Sequence, residues 1–389
     1  MPSSNRLNHD QTLITLRSLT LFAIAFFLNW DSQALCDEPI PKIRDQEQAV
    51  TPFLPTPWEP LPTLPDWEGF AGAFIGTVDD YLVVAGGANF PDRKPWEGGT
   101  KVWYDDLWAL KDPNATWQKV GKLPRPLGYG VALSTSQGSM ICIGGSDALQ
   151  HYSDVFSIHH NNNGWTIQSL PPLPHPIANA CGVRIGDALY VVGGQEHPAK
   201  AMASSKVYRI PLLPSPGNWE EIGDLPGPGR ILATAANYRD HLVIMGGAEL
   251  LKDAEGKTQR RYLKDAHVLQ TNGAWLRIAD LPFPSVAAPS PSMSIDIGDF
   301  TGPCLLGGDD GTQLEIGPSE HQGFRRELLC FDLPEGSEWD QGVWKTVETL
   351  PVARVTTGLV RWRGNWVLAT GESRPGVRSP QVWWRKGTP

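Results

Sequence analysis

The chain has 389 residues and a formal charge of −9, from 33 Lys and Arg against 42 Asp and Glu. With no basic cluster, that balance argues against nucleic acid or an anionic membrane surface as its partner. Glycine (40) and proline (35) are abundant, but 16 tryptophans and regular apolar runs argue against a disordered chain.

The first segment reads as a targeting signal. Arg6 and Arg17 precede the apolar run LTLFAIAFFLNW, and Ser32 and Ala34 offer a small-residue cleavage site. The run is about a dozen residues, short of the roughly 20 that span a bilayer. Residues 1–34 are expected to be a signal peptide cut at Ala34, with Cys36 the other candidate site. The mature protein is then expected to be periplasmic or secreted, with no membrane attachment after cleavage. Residues 35–54 read as a linker and 55–389 as the folded domain. Cys142, Cys181, Cys304 and Cys330 all fall in apolar, strand-like runs and read as buried thiols. Cys304–Cys330, in neighbouring strands of one repeat, is the one pair placed to bridge.

A tryptophan followed by Leu-Pro recurs at Trp58, Trp117, Trp165, Trp219, Trp275 and Trp344, as in WQKVGKLPRP and WEEIGDLPGPG. Between successive copies lie a strand-like run, a second run ending in Gly-Gly, and a third. Four short runs in a period of about 50 residues describe one blade of a kelch-type propeller. The fold class is therefore all-β, a six-bladed β-propeller. The last three runs lack a following tryptophan strand, so the N-terminal PWEPL is expected to supply it and close the ring. With strands a to d running outward, the Leu-Pro (d–a) and Gly-Gly (b–c) loops share one face. The long insertions 88–103, 248–262 and 309–326 lie there too, which marks that mouth as the expected binding site.

On that face, the sixth run reads LATGE, placing Glu372 where the other five copies suggest glycine. A carboxylate there is either a loop charge paired with Arg374 or Arg378, or a general acid/base at the mouth. Arg378 could present a planar fork to a substrate carboxylate. Arg125, Arg230 and Arg354, which follow Leu-Pro segments, would add positive charge and favour an anionic small molecule. No metal-ligand spacing, phosphate cradle or nucleophile elbow is present.

GGANFPDRKPWEGGTKVWYDD (86–106) and GESRPGVRS (371–379) resemble the sialic acid mutarotases, or N-acetylneuraminate epimerases. The order of the blades is similar to the cyclically permuted branch of that family. The resemblance implies a mutarotase that interconverts the α and β anomers of N-acetylneuraminate, a small anionic sugar, without a cofactor. It implies Glu372 as proton acceptor and Arg378 as its functional partner, and it matches Arg230, Glu97 and Lys101 to substrate-binding positions. The alternative is a non-catalytic exported propeller that binds glycans or proteins. Glu372 discriminates, because a binder has no need of an acid/base there.

Overall fold

The recurring tryptophan and Leu-Pro each have a defined packing task. In the computed structural model, which describes residues 58–297 and 300–386, every such tryptophan lies at or beside the outer strand of a blade. Its indole reaches back to the blade before it. Trp117 Nε1 donates to Pro62 O (2.7 Å), Trp219 to Pro171 O (3.0 Å) and Trp344 to Ala279 O (2.8 Å). One Leu-Pro leucine per blade (Leu64, Leu123, Leu173, Leu225, Leu281 and Leu350) is buried and donates its N–H to a carbonyl at the start of a third strand, as Leu123 does to Asp105 O. The Leu-Pro thus anchors the path from outer strand to the next inner strand.

Six four-stranded antiparallel sheets result. Their inner strands are Phe74–Val78, Val131–Ser134, Cys181–Ile185, Thr234–Tyr238, Ser294–Ile297 and Leu359–Trp362. Second strands such as Met140–Ile143 and Tyr81–Ala85 are buried almost throughout, because blades stack on both faces; this explains their unbroken apolar sequence. Outer strands such as Gln118–Lys122 and Glu220–Asp224 are polar and largely exposed. Six apolar clusters lie one between each neighbouring pair of blades, including the last and the first.

The ring closes as expected. Trp58–Leu61 is the outermost strand of the sixth blade, with Trp58 opposite Arg385 and Leu61 opposite Val382. Glu348 of blade five ties both partners down, accepting from Trp58 Nε1 (2.6 Å) and Arg385 Nε (2.8 Å). The expected signal peptide and linker, 1–54, lie outside the described residues. Cys304 and Cys330 face each other on adjacent strands of blade five and form a disulfide, while Cys142 and Cys181 are buried free thiols.

At the axis, Gly72, Tyr129, Asn179, Leu232, Ala287 and Thr356 all have left-handed backbones, with φ between 53° and 65°. Each donates its N–H to the carbonyl of its counterpart in the preceding blade, at 2.7–2.8 Å, and Gly72 donates to Thr356. The six bonds form a closed cycle.

The sequence register of the sixth Gly-Gly copy needs correcting by one residue. Isolated bridges pair Ala88, Ser146, Gln195, Ala248, Asp309 and Glu372 with equivalent residues, so Glu372 matches the residue after each glycine pair. Thr370 and Gly371 occupy the glycine positions, with φ of 50° and 99°, as Gly86 and Gly87 do with 61° and 89°. Thr370 tolerates the left-handed backbone because its fully buried hydroxyl joins the last blade to the first. Oγ1 accepts from Phe70 N (2.7 Å) and lies within reach of Phe70 O (3.0 Å) and Ser379 O (2.9 Å).

Thr370→Val keeps the shape and the φ strain but leaves the Phe70 N–H without an acceptor, so it is expected to cost about 2 kcal/mol. Thr370→Gly relieves roughly 1 kcal/mol of backbone strain and is expected to cost less than Val while still destabilising. Urea unfolding of the three proteins checks this; a stabilised Gly variant would show that the hydroxyl staple contributes nothing.

Candidate active site

Glu372 and Arg378 stand opposite each other in a short hairpin, Glu372–Arg374 paired with Val377–Arg378, inside the sixth blade's b–c loop. The turn needs Gly376, whose φ is 78°; a Cβ there would meet Pro95 Cγ at 2.6 Å. That contact is half of a clamp. On one side the first blade's loop packs Pro95 and Trp96 against the turn. On the other, the fifth blade's loop approaches, with Arg374 Nη1 donating to Ser319 O (3.0 Å). The hairpin is fixed by its neighbours rather than by its own length.

Glu372 is held at one oxygen. Oε1 accepts the Gly376 N–H at 2.8 Å and lies 3.2 Å from Arg378 Nη1. Nη1 is within ion-pair range but off hydrogen-bond alignment, and Nη1 and Nε have no hydrogen-bond partner among the described residues. Arg378 is itself buried, its side chain 4% exposed, with the guanidinium 4.7 Å from the centre of the Phe90 ring. Burial opposes its charge, but Glu372, Tyr129 and Glu68 outweigh that and raise its pKa further. This burial limits what Arg378 can do: it fixes Glu372 and offers little of its edge to a solute.

Sequence reasoning missed Tyr129, which borders the same group. It belongs to the left-handed ring, covers Gly72, and lines an axial cavity of about 60 Å³ together with Asn179, Leu232 and Thr356. Lys101 Nζ lies 4.1 Å from the Tyr129 ring and 4.6 Å from that of Trp103. Among the described residues Lys101 has no carboxylate partner. His321, buried in the fifth blade's loop, also feels the charge of Glu372; burial lowers its pKa, which keeps it neutral near pH 7. One signal could have found Tyr129. It lies six residues after the leucine of a Leu-Pro, as do Asn179, Ala287 and Thr356.

The other expected residues go elsewhere. Glu97 is exposed and caps a single 3₁₀ turn, Pro95–Glu97, by accepting the Lys94 N–H (2.9 Å). Arg230 is fully buried, gripping Asp265 at 3.0 and 2.8 Å and donating to Gly246 O at 3.0 Å. Its role is to join blades, and it does not open onto the mouth. Arg125 pairs with Asp154 on the surface (3.0 Å). Arg354 is buried against Ser379 and Gln381 (2.7 and 2.8 Å), and burial lowers its pKa to about 10. The expected positive mouth is thus not built from these three arginines; Lys101 contributes positive charge there.

Residues 54–167, the closing strand and the first two blades, match the family model described as N-acetylneuraminate epimerase. The curated N-acetylneuraminate epimerases of Salmonella enteritidis PT4 and Salmonella typhi are each 41% identical over 98 residues, which is 23% of this chain and 25% of theirs. That of Haemophilus influenzae is 30% identical over 125 residues, 28% of this chain and 33% of its own. The chain thus matches a quarter to a third of the length of these relatives, and Glu372 lies beyond the segment the family model matches. A solved structure described as "Structure of YjhT" superposes with a TM-score of 0.56 at 14% identity, covering 71% of this chain and 84% of that one; it shares the fold. The resemblance read from the sequence to the N-acetylneuraminate epimerases is therefore found directly in the first two blades.

The buried Arg230 pair makes a testable claim about stability. Burial would raise the Asp265 pKa, but His267 and Arg230 hold it well below the usual 3.8. A depressed carboxyl contributes stability that is present above its unfolded pKa and is lost as pH falls through the folded value. Asp265→Asn is expected to cost about 3 kcal/mol at pH 7, because it strands a buried guanidinium. That difference should hold down to about pH 4 and shrink in stronger acid. Unfolding curves of both proteins from pH 7 to 2 check it.

Proposed function

We propose that this protein is an exported mutarotase that interconverts the α and β anomers of N-acetylneuraminate. The observation that carries this reading is the fixed carboxylate. Glu372 has one oxygen locked by the Gly376 N–H and Arg378, while among the described residues no hydrogen bond engages Oε2. A base oriented in this way suits removal of the anomeric hydroxyl proton. The partial match to N-acetylneuraminate epimerases supports the same substrate class.

The chemistry needs little else. Proton transfer from the C2 hydroxyl lets the C2–O6 bond break, with a proton supplied to O6. Rotation about C2–C3 then presents the other carbonyl face, and the steps reverse. Positioned acid/base groups contribute typically about 10²–10⁴-fold, enough for a reaction that is slow but spontaneous in water. Arg378 serves as the positioning partner of Glu372, and Lys101, which has no carboxylate partner among the described residues, is placed to attract the sugar carboxylate. The Cys304–Cys330 disulfide fits an oxidising compartment and supports a periplasmic or secreted location.

The test is an NMR time course of freshly released α-N-acetylneuraminate with and without protein. Glu372→Gln is expected to lower the catalysed rate about a hundredfold or more. It should also cost about 2 kcal/mol of stability, because Arg378 loses its counter-charge while the Gly376 bond survives. Lys101→Met should raise KM about tenfold and change kcat little, since an attractive charge acts on ground state and transition state alike. Parental rates in the Gln variant would remove Glu372 from the chemistry.

A further inference from the structure

We infer that Tyr129 is the second catalytic residue of this site, the acid that protonates the ring oxygen as the sugar opens. The inference rests on the mutarotase reading and deepens it.

Ring opening moves two protons, and Glu372 is arranged to move only one. A carboxylate with both oxygens free could accept the C2 hydroxyl proton at one and donate to O6 from the other. Here Oε1 is already engaged by the Gly376 N–H and faces Arg378. The second proton needs a separate donor near Glu372 that also opens onto the axis.

Tyr129 meets both conditions. Its backbone is held by the axial cycle through Gly72 O and the Asn179 N–H, and its side chain lines the axial cavity. The hydroxyl lies against the Arg378 guanidinium and reinforces its charge. A guanidinium has only donors to offer, so the phenol oxygen turns its lone pairs toward Arg378, leaving the O–H proton for another acceptor. Lys101, 4.1 Å from the ring, and Arg378 together stabilise the phenolate that donation leaves behind. Two other titratable groups of this site are engaged elsewhere: Glu68 is buried and paired with Lys94, and His321 is buried against Phe324, with its Nδ1 accepting the Gly323 N–H.

The proton balance closes. Glu372 takes the C2 hydroxyl proton as the C2–O6 bond breaks and C2=O forms, and Tyr129 gives its proton to O6. After rotation about C2–C3, O6 attacks the other carbonyl face and returns its proton to the phenolate. Glu372 then returns its own proton to the carbonyl oxygen. No oxidant, metal or cofactor enters the step.

Tyr129→Phe keeps the ring and the Lys101 contact and removes only the hydroxyl. Conversion of N-acetylneuraminate is measured beside binding of its 2-O-methyl glycoside, which cannot open. The expected result is a kcat lower by about a hundredfold with the glycoside Kd within threefold of the parent. Tyr129→Gly suits the left-handed backbone, copies Gly72, and should be equally impaired and partly restored by added phenol. A parental kcat in either variant overturns the assignment, as does a loss that appears wholly in KM and glycoside binding. A parent protein that fails to accelerate the conversion would instead overturn the mutarotase reading itself.

Discussion

The six-membered cycle of axial hydrogen bonds is the constraint from which the rest of the architecture follows. Each blade contributes one residue whose N–H and C=O both point to its neighbours, a geometry that requires a left-handed backbone. For a non-glycine residue that conformation costs roughly 1–2 kcal/mol. Five of the six positions bear this cost, at Tyr129, Asn179, Leu232, Ala287 and Thr356. They persist because each bond also fixes the angle between two blades, so the strain is balanced by six inter-blade cores that form only when the ring is complete. Since the backbone at these positions is dictated by the ring, the side chains are free to vary, and they vary from glycine to tyrosine.

That freedom explains how one mouth of a nearly symmetric ring becomes chemically lopsided. Residues after the glycine pairs repeat the pattern: Ala88 and Ala248 in two blades, but Asp309 and Glu372 in the fifth and sixth. The carboxylate hairpin then sits where the chain ends meet, clamped by the loops of blades five and one. The closing strand Trp58–Leu61 and the Thr370 staple therefore do more than seal the fold. They set the distance between the blade that carries Glu372 and the blade that carries Glu68, Phe90 and Lys101.

Much of this was legible in the sequence, and the legible parts are those with a local packing task repeated six times. The tryptophans, the buried leucines and the apolar second strands recur because each blade needs them. The closing strand was legible as a missing copy. Two other features were obscured by substitution. Thr370 takes the place of a glycine through its hydroxyl bonds, and this shifted the apparent register of Glu372 by one residue. The axial position has no residue type in common among Gly72, Tyr129, Asn179, Leu232, Ala287 and Thr356, so no composition signal marks it. Arg230 misled for a third reason. An arginine near a mouth looks the same in sequence whether it faces solvent or is gripped by a carboxylate 35 residues away, as Arg230 is by Asp265.

The burial of Arg378 changes how the site's charge is to be understood. An exposed arginine would trade its partner for water and counter-ions, and its grip on Glu372 would weaken with salt. At 4% exposure, packed on Phe90 and close to Glu372, the guanidinium cannot trade its partners for water, and its coupling to the carboxylate is correspondingly strong. The cost is a buried cation whose Nε and Nη1 lack aligned hydrogen-bond partners among the described residues. Such a group is poor stabilisation and good orientation: it makes the position of Glu372 expensive to change. Under the proposed function, attraction of the anionic solute then falls to a different residue, Lys101, which is partly exposed and packed on the Tyr129 and Trp103 rings. In the proposed function one cation fixes the base and another draws the sugar, so the two can be tuned separately, which a single exposed arginine performing both tasks would not allow.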